Sequence, residues 1–423
     1  MQTYRELFRT PEFTPLFATS CAQVAASTVS SLALGTLVYR ATGSPLLSAL
    51  SMFGPSFAQV IGAATLLSAA DRLPPRATLT GIATAFGVGT GVLAVPGLPI
   101  WAVFPVLLAL GLVASLGGGV RYGLLTEILP ERGYLLGRSV LNMCVGTMQI
   151  CGYAAGAVLV SALSPRGTLL TAAALYLLAA AVARIGLSPR APRAQGRASV
   201  GETWRTNRLL WSSVPRRYVY LALWVPNGLI VGCEALFVAY SPGNAGLLYA
   251  AAAFGMLIGD TTAGRFLAPR CRERLGAPLR LVLAAPFLVF FLRPALPIAV
   301  AAVVIASIGY AASLLLQERL IALTPASIRG QALGLHTSGM LAMQGAGAAI
   351  AGGIAQQTSP GTAMTAMAAI SVAVTLTLAR GLRTPLPSTP LPAEAELART
   401  PEAPTRTPAG SAPRPDRDAP PRP

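Results

Sequence analysis

Apolar segments of about 20 residues recur along this chain, and its arginines fall almost entirely into every second gap between them. A helix of that length rises about 30 Å, the thickness of a bilayer's hydrocarbon core, so each segment is long enough to cross it. The spans lie at about 13–39, 46–69, 77–95, 99–119, 136–161, 167–187, 217–240, 244–267, 279–293, 295–316, 331–355 and 361–380. All 32 basic residues are arginines, because lysine is absent, and only Arg40, Arg166 and Arg293 occupy the minority set of gaps. Arginines close to span ends stay on the cytoplasmic side. The pattern predicts an all-α protein of twelve transmembrane helices in the plasma membrane, with both termini cytoplasmic.

Composition narrows the function classes. Hydrophobic residues make up 53% of the chain against 11% charged, in blocks too long and uniform for a soluble bundle. A net charge of +17 would suggest nucleic acid in a soluble protein. Here the arginines flank spans without an aromatic-interleaved patch, which favours orientation and contact with anionic lipid and argues against a nucleic-acid partner. Cys21, Cys144, Cys151 and Cys233 sit in apolar spans and Cys271 in a gap, so no disulfide framework or metal-ligand spacing follows. With one histidine, no nucleophile triad and no glycine loop followed by Lys and Ser or Thr, the sequence predicts no enzyme, no cofactor and no ATPase module. Transport would then be driven by an ion gradient or be passive.

Residues 1–12 lack a small-residue cleavage site, so the first span reads as a retained helix. The expected organisation is an N-terminal six-helix half (1–187), a polar cytoplasmic linker (188–216), a C-terminal six-helix half (217–381) and a tail (382–423). That tail holds 12 prolines in 42 positions and too little apolar surface to order itself. The halves repeat when slid by about 195 positions. Pro130 falls on Pro325, and Met148-Gln149-Ile150-Cys151-Gly152 falls on Met343-Gln344-Gly345-Ala346-Gly347. A slightly shorter offset sets Gly62 on Gly255 and Arg72 on Arg265. Two six-span halves of equal orientation imply parallel pseudo-repeats about an axis along the membrane normal.

The loop Asp71-Arg72-Leu73-Pro74-Pro75-Arg76 resembles the signature of the major facilitator superfamily between helices 2 and 3, with Leu67 and Pro74 in place of its two glycines. Thr42-Gly43-Ser44-Pro45, Leu129-Pro130-Glu131-Arg132 and Gly264-Arg265 are similar to the branch containing the enterobactin exporter and related drug antiporters. The expected protein is a monomer whose two halves rock about a central cavity. The resemblance implies that helices 1, 2, 5, 7, 8 and 11 border that cavity and that Asp71, Arg72 and Arg76 close its cytoplasmic side.

Two acids lie within spans, Glu234 and Asp260. A carboxylate there costs about 2.5 kcal/mol or more to insert, so it generally faces a cavity and serves a pathway. These are the candidates for proton coupling, with pairing to an arginine or a helix end as the structural alternative. Asn227 precedes Glu234 by two helical turns and shares its face. Neutral polar residues that could hydrogen-bond a substrate are Gln23, Ser27, Gln59, Asn142, Gln149, Asn227, His336 and Gln344. Each has a bland alternative as interhelical glue, worth about 0.6 kcal/mol per bond. His336, near the start of the eleventh span, fits a packed imidazole better than a proton carrier. The resulting expectation is a proton-coupled exporter of an amphipathic drug or metabolite. The alternatives are a siderophore exporter, an uptake carrier, or a non-transporting sensor of the same fold.

Overall fold

A computed structural model describes residues 4–70, 73–192, 200–265, 269–325 and 328–382, and these are helical with no strand among them. A short helix α1 (Tyr4–Arg9) precedes the first crossing, α2 (Phe13–Thr42). The second crossing joins α3 (Pro45–Phe53) to α4 (Pro55–Ala70), and α5 (Pro75–Leu93) and α6 (Ile100–Ile128) are the third and fourth. Helix α7 (Glu131–Gly186) holds the fifth and sixth, broken at Ser164, where φ 76 and ψ 162 leave helical geometry ahead of Pro165. Its two ends return to the same place, since Gly137 lies against Phe13 and Gly186 against Pro15.

The second half opens with α8 (Val200–Ser212), which runs through the segment expected to be a linker. The seventh crossing is α9 (Val214–Ala235) with α10 (Phe237–Tyr240), and the eighth is α11 (Ala245–Arg265). The ninth is α12 (Pro269–Ala284), continued by a tighter 3-10 turn, Ala285–Leu292. It therefore starts well before the expected residue 279. The tenth is α13 (Leu296–Ile308) and α14 (Ala312–Ala322) around the 3-10 turn Gly309–Ala311, and α15 (Arg329–Gln357) and α16 (Pro360–Leu382) complete the set. Eight of the described helical stretches are by themselves long and apolar enough to cross a membrane. Asp71, Arg72 and most of the proline-rich tail lie outside the described residues.

Local sequence explains the turns. Gly43 takes a left-handed conformation (φ 63) that ends α2, and the Ser44 hydroxyl then accepts the Leu47 amide at 3.2 Å while Pro45 opens α3. Within each half, helices approach until backbones touch. A Cβ on Gly347 would collide with the Gly228 carbonyl oxygen, and one on Gly232 would lie 2.6 Å from the Gly347 carbonyl, so α9 and α15 fit only with glycine there. In the same way Gly259 leaves 2.5 Å for the Ile308 carbonyl where α11 meets α13.

Between the halves the packing depends on the side considered. On the side away from the termini a single apolar cluster joins Leu32, Met52, Tyr153 and Ala157 of the first half to Phe237, Leu248 and Tyr249 of the second. On the terminal side the clusters stay separate. One holds Leu7, Phe13, Val120, Leu125 and Leu141, all from the first half, and another holds Leu210, Val219, Tyr220, Leu320 and Leu382, all from the second.

Polar ties fix the terminal-side ends. Arg216 is almost fully buried and donates to the carbonyls of Leu209 (3.2 Å), Leu210 (3.2 Å) and Leu323 (3.3 Å), which binds α8 to the end of α14. Trp211 stacks on Trp224 with centroids 5.6 Å apart. In the first half Arg190 grips Glu12 through two bonds of 2.6 and 3.2 Å and reaches Glu127 at 3.4 Å. The Glu127 carboxylate thus helps fasten the start of the linker. Burial pushes the Glu12 carboxyl up, but the bonds from Arg190 and Ser188 outweigh it and hold the group below its ordinary value.

Two outcomes follow. Gly347→Val should abolish the monodisperse peak in size-exclusion chromatography, whereas Gly353→Val, with open space around it, should leave it unchanged. Because the Glu12 carboxyl is depressed on folding, its contribution is present above the unfolded value near about pH 4.3 and is lost as pH falls through the folded value. Thermal unfolding in detergent should show Glu12→Gln less stable by about 1 kcal/mol at neutral pH, with the gap to the parent protein closing in acid.

Candidate functional site

Helices α7 and α11 face each other across the two halves in antiparallel register. Gly246 packs on Ala157, Tyr249 stacks on Tyr153 with centroids 4.8 Å apart, and Leu257 lies 3.8 Å from where a Gly146 Cβ would sit. Continuing that register brings Asp260 level with Asn142 and Met143. Residues 246, 249, 253, 257 and 260 fall on one helical face, so Asp260 is on the side of α11 that meets the first half. It is exposed there, as are Asn142 and Met143, and the facing walls leave a cleft toward the terminal side. Gln149, half-buried, lies two turns beyond Asn142 on the same face.

Glu234 sits near the other end, at the penultimate position of α9, and is buried. Its carboxylate accepts the Tyr310 hydroxyl at 3.1 Å, and its backbone carbonyl accepts the Tyr249 hydroxyl at 2.8 Å. Tyr310 is aimed there by the 3-10 turn Gly309–Ala311, which is pressed against α12 at the Leu279 carbonyl. The Tyr249 hydroxyl also lies 3.4 Å from the Met52 sulfur, so a single ring links α2's neighbour α3 to the acid. Nearby, Ser44 donates to Gln356 at 2.7 Å and Tyr39 to the Ala239 carbonyl at 3.5 Å. The acid is thus embedded in the contact that closes the two halves.

At the terminal-side mouth the first half contributes Gln23, Arg121, Tyr122 and Asn142. Helix α6 extends to Ile128, which puts Arg121 inside a helix where sequence reading set it in a gap. Its guanidinium donates to Gln23 Oε1 at 3.2 Å. Tyr122 donates to Asn142 Oδ1 at 3.1 Å, and the Arg138 guanidinium lies over its ring at 5.4 Å.

Other candidates are placed elsewhere. Ser27 sits with Ser30 beside the Tyr176 hydroxyl, toward the sixth crossing. Gln59 is two residues from Phe57, which meets Gly345 across the halves, so it points to the opposite side of α4. Asn227 accepts Gln344 at 3.5 Å within the second half, joining α9 to α15. His336 is buried near the start of α15, where its backbone carbonyl accepts Trp224 at 3.0 Å. Arg76 lies half-buried in the first turn of α5. Cys21 and Cys144, for which spacing gave no bridge, are brought together between α2 and α7, their Cα atoms 6.0 Å apart. Sequence reading also missed Tyr153, Tyr249 and Tyr310. The available signal was a phenol inside an apolar span, which when buried needs a partner.

No family profile and no characterised protein matches the chain by sequence alone. Solved structures do match in shape. The nucleoside transporter NupG superposes over 88% of this chain and all of its own, with TM-score 0.74 and 13% identity. A POT family transporter in complex with a thioalcohol-conjugated peptide covers 88% of this chain and 96% of its own (TM-score 0.70, 11% identity). The fold is that of the major facilitator transporters. The xylose transporter XylE from E. coli, in an inward open conformation, likewise covers 92% of this chain and 99% of its own (TM-score 0.64, 14% identity). At these identities the likeness concerns the fold.

Removing the hydroxyl that binds the acid tests the far-side cluster. Tyr310→Phe should lower stability by about 1 kcal/mol, read as a drop in the thermal midpoint of the purified protein.

Proposed function

We propose that this chain is a secondary transporter that exports an amphipathic small molecule, a drug or secondary metabolite, across the plasma membrane by alternating access coupled to protons. The observation that carries the reading is the asymmetry between the two sides. Apolar contact between the halves is continuous away from the termini and divided by half on the terminal side. With the termini cytoplasmic, as the arginine distribution argues, this is the inward-open state of the cycle. The cargo enters between α7 and α11. Rocking of the halves then breaks the Tyr153–Tyr249 stack and closes the walls at Asn142 and Asp260.

In this reading Asp260, exposed in the cleft, exchanges protons with the cytoplasmic side, and Glu234, buried in the far-side contact, does so once that contact opens. Each acid changes charge at the step that changes its surroundings, which gives the proton gradient its hold on the cycle. The protein works as a monomer in the bilayer, with no cofactor.

Dye efflux measured in inverted vesicles with and without a pH gradient tests the coupling, and efflux unaltered by collapse of the gradient would overturn it. Glu234→Gln and Asp260→Asn should each reduce gradient-driven transport about tenfold or more while preserving the folded yield. A Ser44→Cys, Gln356→Cys pair, joined by a short bifunctional thiol reagent in a background cleared of native cysteines, should stop transport until the link is cleaved.

A further inference from the structure

Arg121 is a cation inside a membrane-spanning helix, seven residues from its terminal-side end and so about 10 Å deep along it. A charge inside such a helix is costly to insert, up to about 2.5–3.5 kcal/mol at the centre, and a structural reason for keeping it would be a carboxylate partner. Among the described residues no carboxylate pairs with it. Glu12 and Glu127, on the same side, are both held by Arg190. The polar partner of Arg121 is the neutral amide oxygen of Gln23.

That contact fixes which way the amide points. The Gln23 oxygen must face the guanidinium, because the reverse orientation would set N–H against N–H. The amide nitrogen is then turned away, and it is buried with no hydrogen-bond partner. A buried donor left empty costs about 1–3 kcal/mol. Beside it, the Tyr122 hydroxyl is already spent on Asn142 Oδ1, which leaves the Asn142 amide nitrogen, itself a donor, on an exposed residue of the cleft wall. The Arg138 guanidinium over the Tyr122 ring adds a second positive charge at the mouth. The side chains gathered here are neutral or positive, with no carboxylate among them.

We propose that Arg121, steadied by its bond to Gln23 Oε1, forms an anion-binding subsite that takes the carboxylate of the transported molecule, its guanidinium supplying both the charge and the N–H donors not used on Gln23. This inference rests on the transporter reading for the word "transported", but the subsite itself is tested without transport. The same oxyanion chemistry is carried by a lipid headgroup phosphate, and the experiment separates the two.

The measurement is thermal unfolding of the purified full-length protein in neutral detergent, with benzoate, benzamide or benzylamine added. Benzoate should raise the midpoint, and benzamide and benzylamine should not. Arg121→Gln should weaken the benzoate response about tenfold or more, and Arg121→Lys should retain part of it. Gln23→Glu brings a carboxylate to the guanidinium from within the chain. It should raise the midpoint without any ligand and abolish the benzoate shift. A midpoint lowered by Gln23→Glu, a benzoate response that survives Arg121→Gln, or no benzoate response at all overturns the proposal. Repeating the series in nanodiscs of phosphatidylcholine with and without phosphatidylglycerol decides the source. A stabilisation by phosphatidylglycerol that requires Arg121 and displaces benzoate assigns the site to lipid and also overturns it. Anion binding together with vesicles that move no aryl carboxylate would sink the transport reading and leave the subsite standing.

Discussion

In lipid every backbone polar group must be satisfied inside its own helix, so helices attract one another chiefly by how closely they can lie. This chain uses that constraint unevenly. Inside a half, glycines let main chains touch, as Gly347 does at the Gly228 carbonyl and Gly259 at the Ile308 carbonyl. Such contacts cannot slide without a carbonyl striking a Cα, so each half behaves as one body. Across the halves glycines also allow close approach, as Gly352 does at Leu46, but the seam adds side-chain ties, the Tyr153–Tyr249 stack and the Ser44–Gln356 bond. Rings and hydroxyls can part and meet again at modest cost, which is what a seam that opens requires.

The placement of charge follows from the same division. Glu234 lies where the seam is shut and is held by Tyr310, while Asp260 lies where the walls stand apart. Neither acid is turned wholly to lipid. Arg121 and Gln23 line the open part from the first half, so both walls of the cleft carry polar groups within an otherwise apolar bundle.

Most of the fold was legible in the sequence because span length and arginine placement are set by bilayer thickness and orientation, both of which act on each segment separately. What could not be read was helical phase. In a soluble helix the polar face marks the outside, but here nearly every face is apolar, and rotation is decided by which small residues meet. Gln59 and Ser27 share with Gln23 a polar side chain on a helix expected to border the cavity, but sequence does not say that Phe57 of α4 meets Gly345 or that Ser27 lies beside Tyr176. A charge at Arg121 ends the hydropathic run and so sets it in a gap by sequence, although α6 continues past it to Ile128. The helix α8 escaped notice because its sequence is polar, and its docking depends on Arg216 and Trp224, which lie outside it.

The two fastenings on the terminal side set a limit of another kind. Arg190 is clamped to the first half through Glu12 and Glu127, and α8, from Val200 onward, is clamped to the second through Arg216. Only about ten residues of chain connect these anchors, and a fully extended peptide reaches at most about 3.3–3.6 Å per residue. The covalent leash between the halves is thus no more than about 35 Å long. Its length caps how wide the mouth can gape, whatever the cargo.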